Sequence, residues 1–222
     1  SCDWSSDVCS SDLIARMTFK DAMEKYGSDK PDLRFGMEIT DLTEVVKDVD
    51  FKVFQSAIEI GGSVRALCLK GGASMGRKDV DRLGEFVKTY KAKGLAYIQL
   101  KEEGIKSPIA KFLKEEEMNA IIEKMGAETG DIILIVADKN SVVFQSLGAL
   151  RLELAKKYDL IKDKNEFNFC WITEFPLFEY DEEENRYTAC HHPFTAPMDE
   201  DLDMIETNPG AVRSKAYDLV LN

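Results

Sequence analysis

Histidine is nearly missing from this chain: only His191 and His192 occur among 222 residues, side by side. No H-E-x-x-H, no Ser-His-Asp order and no dinucleotide fingerprint can be found, which excludes those metalloprotease, triad-hydrolase and Rossmann readings. The five cysteines (Cys2, Cys9, Cys68, Cys170 and Cys190) form no C-x-x-C pair and match no zinc spacing with the histidines. An odd, scattered count suits a reducing, cytoplasmic compartment. No run of 18 apolar residues is present, so no membrane-spanning helix is expected. Positive charge is also short, with 29 Lys and Arg against 41 Asp and Glu and a net charge of −12. A free-standing nucleic-acid binder normally shows a basic face that neutralises phosphates, so any such surface must lie largely elsewhere. The glycine-rich stretch KGGASMGRKD lacks the G-x-x-x-x-G-K-[ST] pattern and reads as a tight surface loop.

What remains is ordinary for a globular protein. The chain is 44% hydrophobic and 32% charged, and its length suits one large domain or two small ones. Residues 1–13, SCDWSSDVCSSDL, stand apart: they are rich in Ser, Asp and Cys, carry the near repeat WSSDV and CSSDL, and show no helical or strand period. They read as a non-native, adaptor-like tail, with a disordered native leader as the alternative. Cys2 and Cys9 therefore carry no functional weight.

From Met17 to Tyr26 the pattern predicts a helix, capped by Thr18, with Asp21 three positions on and Gly27 as its stop. Pro31 turns the following Ser28–Asp32 stretch into a loop. A middle block runs from about Gly36 to Ser146. Strands are expected at Val53–Glu59, Ser63–Leu69, Ala96–Leu100 and Asp131–Asp138, and helices at Arg77–Lys91, Ile109–Met125 and Ser141–Lys157. Beyond it, FCWITEF (Phe169–Phe175) reads as a strand ended by Pro176. Leu177–Tyr180 and Arg186–Cys190 read as a hairpin about the polar turn Asp181–Asn185. Met198–Glu206 reads as a loop with at most one helical turn, and Ala216–Leu221 as a further strand. Strands alternating with helices give an α+β or α/β layer packing.

Few residues stand out chemically. His191 and His192 sit at a strand-to-loop boundary, where neighbours in an extended backbone face opposite ways. Either could serve as a polar ligand or as a satisfied structural histidine. Glu174 interrupts an apolar strand and is either a site carboxylate or one facing water. Lys30 and Arg34 are candidate anion contacts in a loop. From the residues alone, the chain is a two-part α/β or α+β protein.

Three segments then carry a resemblance. IARMTFKDAMEKYGSDKPDLRF resembles the part of bacterial aspartyl-tRNA synthetases that precedes their inserted domain, and FCWITEFPLFEYDEEENRYTACHHPFTAP resembles the part that follows it. AYDLVLN resembles the strand leading into the family's glycine-rich active-site segment. The resemblance spans roughly Ile14 to Asn222, and the ordered pair GSDKPDLR and HHPFTAP is highly specific.

The resemblance implies an α+β fold: part of a class II catalytic domain, an antiparallel sheet with helices, interrupted by an inserted α/β-type domain. Catalytic segments are expected at 14–35 and 147–222, and at 36–146 an insert shared with a tRNA-dependent amidotransferase subunit. It implies activation of L-aspartate by ATP with Mg²⁺, transfer to tRNA(Asp), with tRNA(Asn) as an alternative further acceptor, and a homodimeric parent. His191 falls on the family's aspartate-recognition histidine, with His192 as its companion. Glu174 stands where the family often has Asp, which puts a role there in doubt, and the loop with Lys30 is expected to be positional. The F-R-D-E segment is not in this sequence, so the chain reads as an internal fragment that does not catalyse alone. The alternatives are a stand-alone tRNA- or protein-binding module and an amidotransferase-related subunit.

Overall fold

The computed structural model describes residues 14–190 and 194–222. In chain order the elements are β1 (Ala15–Thr18), α1 (Phe19–Tyr26), β2 (Thr40–Asp41), α2 (Thr43–Val46), α3 (Lys52–Glu59), β3 (Ser63–Leu69) and α4 (Arg77–Lys88). Then follow β4 (Ala96–Lys101), β5 (Gly104–Lys106), α5 (Glu115–Met125), β6 (Ile132–Asp138), α6 (Asn140–Lys157), β7 (Phe169–Thr173), β8 (Phe178–Asp181), β9 (Arg186–Ala189) and β10 (Tyr217–Leu221). Two compact units result. The first comprises the described residues up to Ala22, with Asp29–Asp32 and Asn165–Asn222; the second comprises Met23–Ser28 and Leu33–Lys164.

The second unit is built on a five-stranded sheet of order β2-β3-β6-β4-β5, with every pair antiparallel. That makes it α+β: the strand–helix alternation does not produce the parallel crossovers of an α/β layer. The strand β6 shows how the sheet is filled. Ile132, Leu134 and Val136 join one core cluster with Leu67 and Leu69 and with Val80 and Leu83 of α4 and Leu147 and Leu150 of α6. Ile133 and Ile135 point the other way, onto Val64, Ala66 and Ile98 and onto Val46, Phe54 and Ile121 of α2, α3 and α5. A strand covered on both faces reads as a continuous apolar run, and IILIVA is one.

Three expected elements came out differently. Val53–Glu59 is helical, not extended: α3 buries Phe54 and Ala57, three apart on one face. A short apolar run cannot be told strand from helix by composition. The single helix expected over Ile109–Met125 is broken. A 3-10 turn covers Ala110–Phe112, Leu113 is extended, and α5 starts afresh with the Glu117 carboxylate accepting the Lys114 backbone N–H at 2.9 Å. The helix expected from Met17 starts only at Phe19, because Ala15–Thr18 is drawn into a parallel pairing with β7. Its expected cap and stop hold: the Thr18 hydroxyl accepts the Asp21 N–H at 3.1 Å, and Gly27 follows at φ +67.

The first unit carries a three-stranded sheet, β1-β7-β10, parallel on one side of β7 and antiparallel on the other. It is thus mixed, where the resemblance implied an antiparallel one. The expected hairpin forms as β8 and β9, its turn held by the Asp181 carboxylate, which accepts the N–H groups of Glu183 and Glu184 at 2.9 and 3.0 Å. The helix α6 runs unbroken through Ser146 to Lys157. No helix among the described residues is long and apolar enough to cross a membrane.

Candidate functional site

In the first unit, the ends of β1, β7 and β10 border a cleft of about 640 Å³ lined by Arg16, Trp171, Thr173, Glu174, Met198 and Ser214–Tyr217. The alternation of β7 turns Cys170 and Ile172 into the core and leaves Trp171 and Thr173 on the cleft side. Trp171 meets Tyr217 of the neighbouring strand edge-on, ring centres 5.5 Å apart.

One wall is organised by Arg213. Its backbone N–H and its Nε donate to Asp201 Oδ2 at 2.9 and 2.8 Å, and its Nη2 donates to Oδ1 at 2.9 Å. Its Nη1 donates to Glu174 Oε2 at 2.8 Å. Glu174 can reach it because the chain leaves β7 with Glu174 at φ +58, a left-handed conformation uncommon for a non-glycine residue. Asp201 sits on a 3-10 turn, Asp199–Met204, and is almost fully buried. The guanidinium hydrogen bonds hold its carboxyl down at about 2 and push Arg213 further above its ordinary value, through Asp201 first and Glu174 second. An arginine so occupied by carboxylates braces the wall; it does not grip an anion.

The same wall fixes the segment just beyond the histidine pair. Met198 N–H donates to Arg213 O at 2.9 Å, Lys215 N–H donates to Ala196 O at 2.9 Å, and Pro197 bridges Ser214. On the other side, Cys190 N–H donates to Leu177 O at 3.1 Å. His191 and His192 themselves lie outside the described residues. Glu174 lines the cleft but is tied to Arg213. Lys30 is exposed on its loop and is not among the residues lining the cleft. No cluster of three or more His, Cys, Asp or Glu suited to a metal ion occurs among the described residues.

Sequence reading passed over Arg213 and Asp201. They lie in aperiodic segments 12 residues apart, and the only signal was a carboxylate within the acidic stretch after Pro197. The brace makes a pH prediction. Asp201 titrates near 2 folded, against about 3.8 ordinarily, so its contribution to stability is complete above that ordinary value and is lost as pH falls through about 2. The stability gap between the native chain and Asp201→Asn, followed by Trp171 emission in a Trp4→Phe background, is therefore expected to be widest near neutrality and to close on acidification through that window. A gap independent of pH would rule the brace out.

Comparison with known proteins adds a domain match and close relatives. Residues 54–147 match the GAD domain. Over 209 residues, 94% of this chain, the sequence is 82% identical to an aspartate–tRNA ligase of Clostridium botulinum (strain Alaska E43 / Type E3). It is 77% identical to one of Clostridium perfringens (strain 13 / Type A) and 68% identical to one of Clostridium novyi (strain NT) over the same length. The chain spans about a third of these relatives, 35% of each. The chain thus carries a GAD domain in its second unit, and along nearly all its own length it is closely similar to about a third of the length of bacterial aspartate–tRNA ligases.

Proposed function

We propose that this chain supplies the amino-acid end of the active site of an aspartate–tRNA ligase. In this reading the first unit is part of a class II catalytic domain, and the GAD-containing second unit is an insert within it. The observation that carries the proposal is the 82% identity to a named aspartate–tRNA ligase over 94% of the chain.

The reaction has two steps, an in-line displacement at phosphorus and an acyl transfer. A carboxylate oxygen of L-aspartate attacks the α-phosphorus of ATP, the bond to pyrophosphate breaks, and aspartyl-adenylate forms. A ribose hydroxyl at the 3′ end of tRNA then attacks the aspartyl carbonyl and AMP leaves. Catalysis of this kind rests on positioning and on neutralising charge. The local contribution is geometric: Cys190 and Ala196, which flank HHPFT in the sequence, are tied to Leu177 and Lys215. His191, with His192 beside it, would meet the substrate carboxylate, for which an imidazole is a suited partner. Glu174 holds Arg213, and Lys30 belongs to the supporting loop. Mg²⁺ would screen the ATP phosphates. Among the described residues no group of three or more His, Cys, Asp or Glu is suited to hold it. The partners in this reading are tRNA(Asp), with tRNA(Asn) undecided by these residues, and a second copy of the whole enzyme in a cytoplasmic homodimer.

Aspartate-dependent ATP–pyrophosphate exchange tests the proposal. The chain alone is expected to give none. When it replaces the matching stretch of the Clostridium botulinum relative, His191→Ala is expected to raise the KM for aspartate by about tenfold or more, one charge-assisted hydrogen bond, with little change in that for ATP. Exchange by the chain alone, or an unchanged aspartate KM, would defeat it.

A further inference from the structure

The second unit has its own cleft, of about 610 Å³, remote in chemistry from aspartate activation. Its base is apolar: Leu69 is buried, and Met37 and Leu160 pack partly buried against the same core. Three cations line it, Arg34, Lys70 and Lys162. Among the lining residues the one carboxylate is Glu38, which accepts from the Tyr26 hydroxyl at 3.3 Å; behind the lining, Asp131 holds Lys70 at 2.9 Å and Glu128 also attracts it. The lining is therefore net positive in a chain of net charge −12. A local reversal of sign in an acidic protein is a physical signal for an anion.

The two lysines are available in different ways. Lys162 is exposed and makes no hydrogen bond or ion pair among the described residues. Lys70 is held in place, donating to Gly126 O and to Asp131 Oδ2, both at 2.9 Å, while its side chain stays 64% exposed. An ammonium has three N–H donors, so one remains for a ligand. Asp131 is itself pinned by the N–H groups of Gly71 and Glu128, so Lys70 is pre-positioned. A volume of this size exceeds what an inorganic anion fills and suits a compact molecule with an apolar body.

We propose that this cleft binds a small organic phosphate of the nucleoside monophosphate class, its phosphate at Lys70 and Lys162 and its ring system on Met37, Leu69 and Leu160. The site is separate from the aspartate reading and stands or falls without it.

The test is titration of the whole chain with AMP, adenosine and inorganic phosphate at constant ionic strength, following backbone amide resonances. AMP is expected to shift the amides of residues 34–40 and 68–71 saturably. Adenosine and phosphate are each expected to bind at least about fivefold more weakly, since each keeps only half of the contacts. Lys162→Glu, at an exposed position that leaves the fold intact, is expected to weaken AMP about tenfold, the loss of one charge-assisted contact. Shifts confined to residues of the first cleft, such as Trp171 and Tyr217, would overturn the proposal. So would phosphate binding as tightly as AMP, or an affinity indifferent to Lys162→Glu.

Discussion

Replacing Arg151 with alanine is expected to remove about 3–5 kcal/mol of stability from the unit that contains the five-stranded sheet. Arg151 is 1% exposed, deep in the apolar helix α6. Its Nε donates to Met37 O at 3.0 Å, and its Nη2 donates to the carbonyls of Phe35 and Gly36 at 2.9 and 3.0 Å. Its guanidinium plane also lies over the rings of Phe35 and Tyr26, 4.0 and 4.7 Å from their centres. One side chain therefore holds three successive carbonyls where Met37 takes a φ of +65. Alanine would strip those acceptors of their donor and open a cavity. Arg151→Met fills most of the volume and is expected to lose less, about 1–3 kcal/mol, from the carbonyls alone. Urea unfolding of the three proteins gives the comparison. A loss under about 1 kcal/mol for alanine would mean the carbonyls find other donors.

The second large effect is expected at Gly27. It ends α1 at φ +67, and its N–H donates to Met23 O at 2.9 Å. It also lies backbone to backbone against α6: a Cβ there would stand 2.3 Å from Phe144 O and 2.8 Å from Gly148 Cα. Gly148 is the complementary notch, since its own Cβ would stand 2.6 Å from Gly27 O. Gly27→Ala combines left-handed strain of about 1–2 kcal/mol with a clash against unyielding backbone, about 2–5 kcal/mol in all. Gly36→Ala, where a Cβ meets nothing within 4 Å, is the control and is expected to be nearly neutral. Thermal melts suffice. Equal melting temperatures for the two variants would show that α6 can move away from Gly27.

Legibility from sequence followed the physics of each element. Ser63–Leu69 and Asp131–Asp138 could be read because a strand buried on both faces is mostly apolar, with Ser63, Arg65 and the terminal Asp131 and Asp138 as the exceptions. The segment KVFQSAIE could not, since its Phe54 and Ala57 fit a strand or a helix until the neighbours are known. Break points such as Leu113 and the pairing of Ala15–Thr18 with β7 depend on partners far along the chain. The site divides the same way. The ordered motifs GSDKPDLR and HHPFTAP disclosed the similarity to aspartate–tRNA ligases, yet said nothing of the Arg213–Asp201–Glu174 brace, which only the folding of three separate segments assembles. Arg151 passed unnoticed as one cation in an otherwise apolar helix pattern.

The most direct measurement is tRNA aspartylation by the Clostridium botulinum relative in which this chain's matching 209 residues replace the native stretch. The expected result is aspartyl-tRNA formation close to that of the unaltered enzyme. A hybrid that folds and binds ATP but forms no aspartyl-tRNA would contradict the assignment of the first unit to the aspartate end of the active site.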